Sequence, residues 1–456
     1  MDIIPQIVDF IITNWESIFS PVDESTTFLD LVQEIHEFAS KLGCSTAERI
    51  LQIVDEEIYN HSNRKNNWYV VRKNDKRTIS TIMGEVTYTR TYYRNKKDNA
   101  YAYLCDEWLG IPKHERTDLT LKAAILRKAA DMSYQKTIDS FPHVGITSKT
   151  TVMNIIRRVG LIENDAVPVS TEKRPVKTVY IEADEDHLAM QHGEGKLGKM
   201  VYVHEGLEVV SRKRKKLIET RYFTGVNKSN DELWLQVADY LDKVYDENSL
   251  ARIYLSGDGA VWIREGLKWI RGAEFVLDGY HLSKYITQAA GSDKDTEREL
   301  REYIAKNFKK EAAKLFRVLS EKAEDEKARE RIRSAGSYIL RHWEAIQRQK
   351  EADYIGCSAE SHVSHVLAAR MSSRPMAWSA VGAEHMAGLR TFIFNGGNMT
   401  NYLKEKDKNV KKGLRLAKLE NKMKKRMKEW CQVSLPVIAN GKVSPTYIWL
   451  KGISSI

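Results

Sequence analysis

The chain has 456 residues, of which 42% are hydrophobic and 29% are charged, and its net charge is +10. This composition is typical of a globular protein and excludes a disordered chain, and the length predicts two to four domains. Charged residues interrupt every apolar stretch before it could cross a bilayer, and no basic leader precedes one, so we expect neither a membrane protein nor a signal peptide.

The four cysteines favour a reducing compartment. Cys44, Cys105, Cys357 and Cys431 lie far apart and form no CxxC pair. A structural zinc site or a disulfide framework is therefore not expected, and a cytoplasmic location fits.

The positive charge is concentrated in two clusters. Lys404–Lys428 carries twelve Lys/Arg residues against three acids, and Arg212–Lys216 is basic throughout within an expected hairpin loop. Such clusters favour a polyanionic partner, although a solvated helix face is the alternative for the first. The candidate DNA contacts in them are Lys411, Lys412, Arg415, Arg212, Lys213 and Arg214.

The N-terminal third is predicted to be mainly helical with one small hairpin. Apolar residues recur at helical spacing in residues 1–70, whereas Arg77–Tyr93 is rich in Thr, Tyr, Ile and Val around Gly84 and predicts a β-hairpin. Its arginines are possible nucleic-acid contacts, and an ordinary small sheet is equally compatible.

A helix-turn-helix is predicted next. Ser133–Phe141, a Gly-bearing turn and Thr147–Arg158 have the expected order of helix, turn and capped second helix. A helical hairpin that never meets DNA is the alternative. The residues that would reach base edges are Ser148, Lys149 and Thr150.

The following block predicts an α/β sheet. Three sequential strands, beginning with Lys177–Asp184, precede an alternation of helix and strand, which is the order of a ribonuclease H-like sheet. A highly charged helical stretch then resembles an insertion before the helix that begins near Ser358. The fold class is thus an α/β ribonuclease H-like catalytic domain with an all-helical insertion, after a mainly helical N-terminal DNA-binding region with a small β-hairpin. The predicted segments are 1–70, 71–116 and 117–164 in that region, 176–290 and 356–400 in the catalytic core, 291–355 in the insertion, and 401–456 in a basic C-terminal region.

Three carboxylates are the candidate catalytic and metal-binding residues. Asp184 and Asp258 end the first and fourth strands, which are neighbours in such a sheet, and Glu360 follows the insertion. Three carboxylates without His or Cys form a hard oxygen site suited to Mg²⁺ or Mn²⁺, and two such ions can drive an in-line displacement at a phosphodiester. The first ligand is open between Asp184 and its acidic neighbours, chiefly Glu182 and Asp186.

Four motifs carry a resemblance to a known family. They are Ile181–His187, Leu255–Ile263, Leu277–Leu282, and Ser358–His365 with Arg370–Trp378. Together they resemble bacterial DDE transposases of the ISLre-type (ISLre-two) insertion-sequence group, which is classed as an uncharacterised protein family and is more distantly similar to Mutator-like transposases.

The resemblance implies a Mg²⁺- or Mn²⁺-dependent enzyme that cuts and joins DNA, with the triad at Asp184, Asp258 and Glu360. It also implies double-stranded DNA as partner, at transposon ends and target, and a homodimer or higher assembly in the bacterial cytoplasm, associated with the nucleoid. Two other functions stay open: a ribonuclease H-like nuclease or resolvase without strand transfer, and a DNA-binding protein whose catalytic site is unused.

Further residues receive roles from these motifs. His281 is a candidate catalytic residue that would contact the scissile phosphate, with Asp278 supporting it, and the alternative is a purely structural pair or helix cap. Arg370 and Arg374 would bind phosphate and Trp378 would stack on a base, although a buried Trp is the alternative.

Overall fold

The computed structural model describes residues 8, 11–13, 26–145, 148–211 and 214–408. The chain divides into a unit that extends to Asn398 and a second that begins at Met399. Among the described residues, no helix has both the length and the apolar character needed to span a membrane.

A long helix, α1 (Phe28–Asn60), lies near the start of the continuously described part of the chain, which begins at residue 26. Thr27 caps it, because the Thr27 side chain accepts a hydrogen bond from the Asp30 amide while the Asp30 carboxylate accepts one from the Thr27 amide. At its end His61 adopts an extended conformation, and its Nδ1 caps the short α2 (Ser62–Asn67). The chain then enters a sheet.

This N-terminal sheet has three antiparallel strands, β1 (Trp68–Thr81), β2 (Gly84–Asn95) and β3 (Tyr101–Tyr103), in that order. The expected hairpin is present, and β3 is an addition that the short Tyr-Ala-Tyr sequence did not signal. Gly84 begins β2 at a φ of 139°, which only glycine adopts without strain. A short helix, α3 (Leu104–Leu109), follows β3.

Three helices follow, α4 (Leu119–Asp131), α5 (Tyr134–Asp139) and α6 (Lys149–Val159). Each has a polar N-cap, Asp118, Ser133 and Ser148 respectively, whose side chain accepts a backbone amide. The order of short helix, connection and second helix predicted from the sequence is thus observed in α5 and α6.

The central sheet has five strands, with both parallel and antiparallel pairs. The chain order is β4 (Thr178–Leu188), β5 (Lys196–His204), β8 (Arg221–Gly225), β9 (Arg252–Gly257) and β10 (Ala273–Leu277), and the spatial order is β10-β9-β4-β5-β8. The first three strands pair antiparallel, whereas β9 and β10 run parallel to β4.

A separate two-stranded hairpin, β6 (Leu207–Ser211) and β7 (Arg214–Leu217), lies between β5 and β8 in the sequence. The next strand of the central sheet begins only at Arg221, because the residues after Leu217 close this hairpin: the Ile218 amide donates to the Gly206 carbonyl. The two ends of the hairpin are thereby joined before the chain enters the central sheet.

Helices precede and follow the two parallel strands β9 and β10 in the sequence. α7 (Asn230–Val244) precedes β9, and α10 (Gly279–Ala290) follows β10. Between β9 and β10 the chain forms two short helices, α8 (Val261–Arg264) and α9 (Gly266–Trp269), with a break at Glu265. The break allows a close approach: a Cβ on Gly266 would lie 2.8 Å from the Trp234 ring.

The predicted insertion is helical, and it packs on the sheet. Its helices are α11 (Lys294–Ala305), α12 (Lys309–Glu321), α13 (Glu326–Arg341) and α14 (Trp343–Gln347). Phe316 and Ile339 share one apolar core with Ile181 and Leu255 of the sheet, so burial of this face stabilises sheet and insertion together.

The opposite face of the sheet meets the chain after the insertion. Tyr180, Tyr254 and Val276 form a smaller buried cluster there, with Tyr354 against it. The chain continues into α15 (Ala359–Val363), a π-helical turn (Ser364–Ala368), α16 (Ala369–Met371) and α17 (Ala380–Phe394).

Candidate active site at the strand ends

Three aspartates lie where β9 and β10 end beside β4. Asp258 and Asp278 follow the last residues of β9 and β10, whereas Asp184, which the sequence predicted to end its strand, lies inside β4, two residues after the last β4 residue that pairs with β9. Ser256 of β9 pairs with Glu182 of β4 on one side and with Val276 of β10 on the other. Beyond these pairs the Asp278 amide donates to the Gly257 carbonyl, and the charge of Asp258 is close enough to Asp184 to raise its pKa. Side chains two apart on a strand share a face, so the Asp184 side chain lies on the same face of β4 as Tyr180 and Glu182.

Asp184 is partly withdrawn from water in the presence of other acids. Its Oδ1 accepts a hydrogen bond from the Glu185 amide at 2.9 Å. Burial raises the pKa of the Asp184 carboxyl to about 6, and the charges of Asp258 and Glu185 act in the same direction, against that hydrogen bond and the cation of His281. A nearby cation would stabilise the charged form of a carboxylate in such surroundings.

Asp258 is fixed by its own turn. Its Oδ1 accepts the Ala260 amide at 2.8 Å, and its carbonyl accepts the hydroxyl of Tyr338 from the insertion. Gly259 has a φ of 85°, and a Cβ there would lie 2.8 Å from the His342 ring. The insertion therefore helps to hold this strand end, and glycine is required beside the aspartate.

Asp278 and His281 form a hydrogen-bonded pair at the start of α10. Asp278 is buried and caps the helix by accepting the Tyr280 amide at 3.1 Å, and its Oδ2 lies 3.0 Å from His281 Nδ1. The hydrogen bond with Asp278 raises the pKa of the imidazole against burial, and the carboxylates of Asp258 and Asp184 raise it further. With Nδ1 committed to Asp278, Nε2 is the nitrogen left to meet a substrate.

Glu360 does not lie beside these residues. It lies in the first turn of α15, and its side chain is exposed. Within the described part of the chain, no group of three or more His, Cys, Asp or Glu side chains is arranged to hold a metal ion. The structure therefore brings Asp184, Asp258 and His281 together and leaves the third predicted ligand outside.

Glu182, one of the rivals for the first ligand, is instead a buried anchor. It is 2% exposed, and its carboxylate accepts hydrogen bonds from Tyr202, from His204 Nε2 at 2.9 Å and from the Ser358 amide at 2.5 Å. Burial raises the pKa of Glu182, but the bonds from His204, Tyr202 and Ser358 outweigh it and the pKa is lowered. Because Ser358 is the N-cap of α15, Glu182 attaches the Glu360 helix to the sheet.

Asp186, the other rival, lies further along β4 on the same face as Asp184. Its Oδ2 is buried and has no hydrogen-bond partner among the described residues. A cation nearby would satisfy that oxygen. Asp186 therefore stays an alternative, whereas Glu182 does not.

Two of the predicted DNA contacts are core residues, and these predictions are corrected. Arg370 is 6% exposed and its Nε donates to the Ala129 carbonyl at 2.9 Å, while Trp378 is 7% exposed and its Nε1 donates to the Met371 carbonyl at 2.8 Å. The guanidinium lies 5.1 Å from the Trp378 ring centre. These groups stabilise packing between α16 and α4 and cannot meet a phosphate or a base from there, whereas Arg374 is exposed.

The residues predicted to read bases lie at the start of α6. Ser148, Lys149 and Thr150 are all exposed, and the Ser148 hydroxyl accepts the Thr150 amide at 3.2 Å. Val152 and Ile156 bury the other side of the helix. This end of α6 is thus open to a partner, and its DNA contact stays a prediction.

The remaining predicted contacts fall in the two basic clusters. Arg214 begins β7, but its side chain lies outside the described part of the chain. The other predicted contacts lie wholly outside the described residues, namely Arg212, Lys213, Lys411, Lys412 and Arg415.

The fold and site define an α/β protein with a mixed five-stranded sheet and a carboxylate-rich strand edge. The chain belongs to the uncharacterised protein family UPF0236, which it matches over residues 22–408. A UPF0236 protein of Caldanaerobacter subterraneus subsp. tengcongensis is 37% identical over 433 residues, covering 93% of this chain and 91% of the relative. A UPF0236 protein of Streptococcus gallolyticus, from the vanSb 3′ region, is 28% identical over 383 residues, covering 80% and 83% respectively.

Among solved structures, the Drosophila P element transposase strand transfer complex aligns with 63% of this chain and 80% of its own chain. The identity is 14% and the TM-score is 0.26, a level that carries no inference about this chain. Membership of an uncharacterised family, one part of the predicted resemblance, is thus confirmed.

Proposed function

We propose that the protein is a DNA transposase that cuts and joins phosphodiester strands with a divalent metal ion held by Asp184 and Asp258. The observation that carries the proposal is the row of carboxylates of Asp184, Asp258 and Asp278 where β9 and β10 end beside β4, with the hydrogen-bonded imidazole of His281 near them. Structural carboxylates are seldom placed in such a row, because their mutual repulsion destabilises the fold.

The order of the strands supports a ribonuclease H-like sheet. The first strand, β4, lies between the second and the fourth, its first three strands are antiparallel, and the last two run parallel to the first. This is the arrangement from which the sequence predicted that Asp184 and Asp258 would be neighbours. The helical insertion before Glu360 belongs to the same predicted pattern.

The donor chemistry of the site fits a hard divalent cation. Asp184 and Asp258 offer only oxygen, and the raised pKa of Asp184 reflects burial and the nearby acids Asp258 and Glu185, a cost that a cation offsets. Glu360 would complete the ligand set only after movement of α15, whose five residues are followed directly by a π-helical turn. Such turns are frequent at functional sites.

The residues of the candidate site would have separate roles in the reaction. Asp184 and Asp258 would hold Mg²⁺ or Mn²⁺, and the bound ion would supply activation of the attacking oxygen and charge neutralisation at the phosphate. His281, oriented through Nδ1 by Asp278, would donate from Nε2 to a non-bridging phosphate oxygen. Its raised pKa keeps this imidazole protonated to a higher pH than usual.

A strand-cleavage assay tests the proposal. The substrate is the DNA on both sides of the gene, where the proposal expects terminal inverted repeats, and the readouts are 3′-OH ends and joined products in Mg²⁺. We expect Asp258→Asn to reduce both by about 10²–10³-fold or more, since a preorganised charge at the reacting phosphate is removed. Asp239→Asn, on the exposed face of α7, is the matched control and should leave both unchanged.

The same assay distinguishes the two alternatives. Cleavage without joining would indicate a nuclease or resolvase, and binding without cleavage would indicate a DNA-binding protein whose site is unused. The exposed position of Glu360 is the observation that favours the last alternative. Glu360→Gln therefore belongs in the assay, and an unchanged rate for this variant would remove Glu360 from the catalytic set.

A further inference from the structure

The N-terminal sheet presents one face on which tyrosines alternate with cations. Tyr69 on β1 pairs with Arg94 on β2, which pairs with Tyr101 on β3, and the next row runs Arg72, Tyr92 and Tyr103. Residues opposite one another in register project to the same side of a pleated sheet. We call this surface the tyrosine face, formed by Tyr69, Arg72, Tyr92, Arg94, Tyr101 and Tyr103.

Helix α1 packs on the other side of this sheet. Thr91 points away from the tyrosine face and contacts α1 directly. Its amide and hydroxyl donate to the carboxylate of Asp55 at 3.1 and 2.7 Å. Tyr93 is fully buried on that side. The helix therefore covers one face of the sheet and leaves the tyrosine face to other contacts.

The arginines nearer the hairpin turn are already engaged. Arg77 and Arg90 both donate to the carboxylate of Asp106 on α3, which also accepts the Tyr88 hydroxyl. The sequence had offered the hairpin arginines as possible nucleic-acid contacts, and for Arg77 and Arg90 this is corrected. Any contact must lie at the other end of the strands.

At that end the rings and cations touch one another and remain accessible. The Arg94 guanidinium lies 5.5 Å and the Lys96 ammonium 4.8 Å from the Tyr69 ring centre, and Tyr92 stacks on Tyr101 at 5.5 Å. Tyr69 is 52% and Tyr101 47% exposed.

The charge of the surface is positive. Arg72 pairs with Asp75 at 2.9 Å, whereas Arg94 has no carboxylate within ion-pair distance among the residues that the structure describes. Lys65 and Lys97 are exposed near the same end of the strands, and the Lys96 ammonium, which lies over Tyr69, also donates to the Lys65 carbonyl. The partner must therefore be anionic and must offer flat groups to tyrosine rings.

We propose that the tyrosine face binds single-stranded DNA, with bases stacked on Tyr69 and Tyr101 and phosphates paired with Arg94 and Lys96. Unpaired bases offer a free π-face to an aromatic side chain, while bases inside a duplex are already stacked on one another. The inference rests on the proposed function for the choice of DNA among polyanions. Strand cutting at an element end exposes the unpaired segments that such a surface holds.

Fluorescence anisotropy with the full chain in EDTA tests the proposal, using a labelled oligo-dT 20-mer and a mixed-sequence duplex of equal length. The double variant Tyr69→Ala, Tyr101→Ala should bind oligo-dT at least about tenfold more weakly, because stacking is lost, and bind the duplex as the wild type does. Arg94→Gln should weaken oligo-dT binding and reduce the slope of log affinity against log salt by about 0.7, as one phosphate contact is removed.

Controls match each change in type and exposure. Phe308→Ala removes an aromatic ring that is 46% exposed on the insertion, and Arg298→Gln removes an exposed cation there. Both should leave binding unchanged, and thermal melts should show every variant folded. Unchanged oligo-dT binding by the double variant and by Arg94→Gln, or equal losses on duplex and oligo-dT, would overturn the proposal. The binding assay contains no metal, so its result does not depend on whether the cleavage assay succeeds or fails.

Discussion

Asp184→Asn should make the metal-free protein more stable while abolishing its metal-dependent activity. A rise in the pKa of Asp184 from 3.8 to about 6 corresponds to about 3 kcal/mol of unfavourable ionisation in the native state. Asparagine has the same shape without the charge, so we expect the free energy of unfolding at pH 7 to rise by about 1–3 kcal/mol. Chemical denaturation in EDTA measures it.

The pH dependence of the free energy of unfolding tests the sign of the effect of Asp184→Asn. Because the folded-state pKa of Asp184 is raised, the native state holds its proton longer than the unfolded state, and this group lowers stability as pH rises from 3.8 to about 6. The stability difference between Asp184→Asn and wild type should therefore grow across that window and be level above it. A difference that shrinks as pH rises would contradict the assigned environment of Asp184.

Metal should reverse the order of stability of wild type and Asp184→Asn. A ligand that binds only the native state stabilises it according to its concentration and affinity, so millimolar Mg²⁺ should raise the melting temperature of wild type. It should have no such effect on Asp184→Asn. The exposed Asp239→Asn variant should behave as wild type throughout, and an equal Mg²⁺ response in all three would place the ion elsewhere.

Glu182→Ala should be among the most destabilising single changes in the chain. It removes one carboxylate that satisfies Tyr202, His204 and the Ser358 amide in a buried setting. Breaking such a buried network costs about 3–5 kcal/mol. The lowered pKa of Glu182 means that its contribution is present above pH 4.5 and is lost as pH falls through the folded pKa.

Hydrogen exchange separates this anchoring role from a general loss of stability. Amides of α15, which Glu182 attaches through Ser358, should lose protection first in Glu182→Gln, the milder variant. Glu274→Ala, which removes a partly exposed pair with Arg348 on the same sheet, is the control and should change little. If α15 exchanges as in wild type while the sheet loosens, Glu182 does not hold this helix.

The strand-end carboxylates could be predicted because the information was local. An acid that closes a run of β-forming residues identifies Asp258, which directly follows β9, whereas Asp184 was identified in the same way but lies inside β4, which continues to Leu188. The order of strands and helices is enough to predict that the two are neighbours. The observed ladder, with Ser256 beside Glu182, agrees with that expectation. Asp278 and His281 were likewise found from one turn of sequence.

The roles of Glu182, Arg370 and Trp378 depended on distant contacts that no local pattern contains. Glu182 meets Ser358, 176 residues later, and Arg370 meets Ala129, 241 residues earlier. An acid inside an otherwise apolar strand could have been interpreted as a buried hydrogen-bonded group rather than a ligand. The alternation of tyrosine and arginine in the first hairpin became meaningful only when β3 added Tyr101 to the same face.

A sulfur substitution at the scissile phosphate tests the central claim most directly. Mg²⁺ prefers oxygen, whereas Mn²⁺ also accepts softer ligands, so replacing one non-bridging oxygen of end-bearing DNA reports direct contact with the metal. We predict that cleavage of the phosphorothioate in Mg²⁺ falls at least about tenfold, that Mn²⁺ restores it, and that Asp258→Asn cleaves neither substrate. Equal cleavage of both substrates in Mg²⁺, or activity that survives Asp258→Asn, would contradict a metal site at these strand ends.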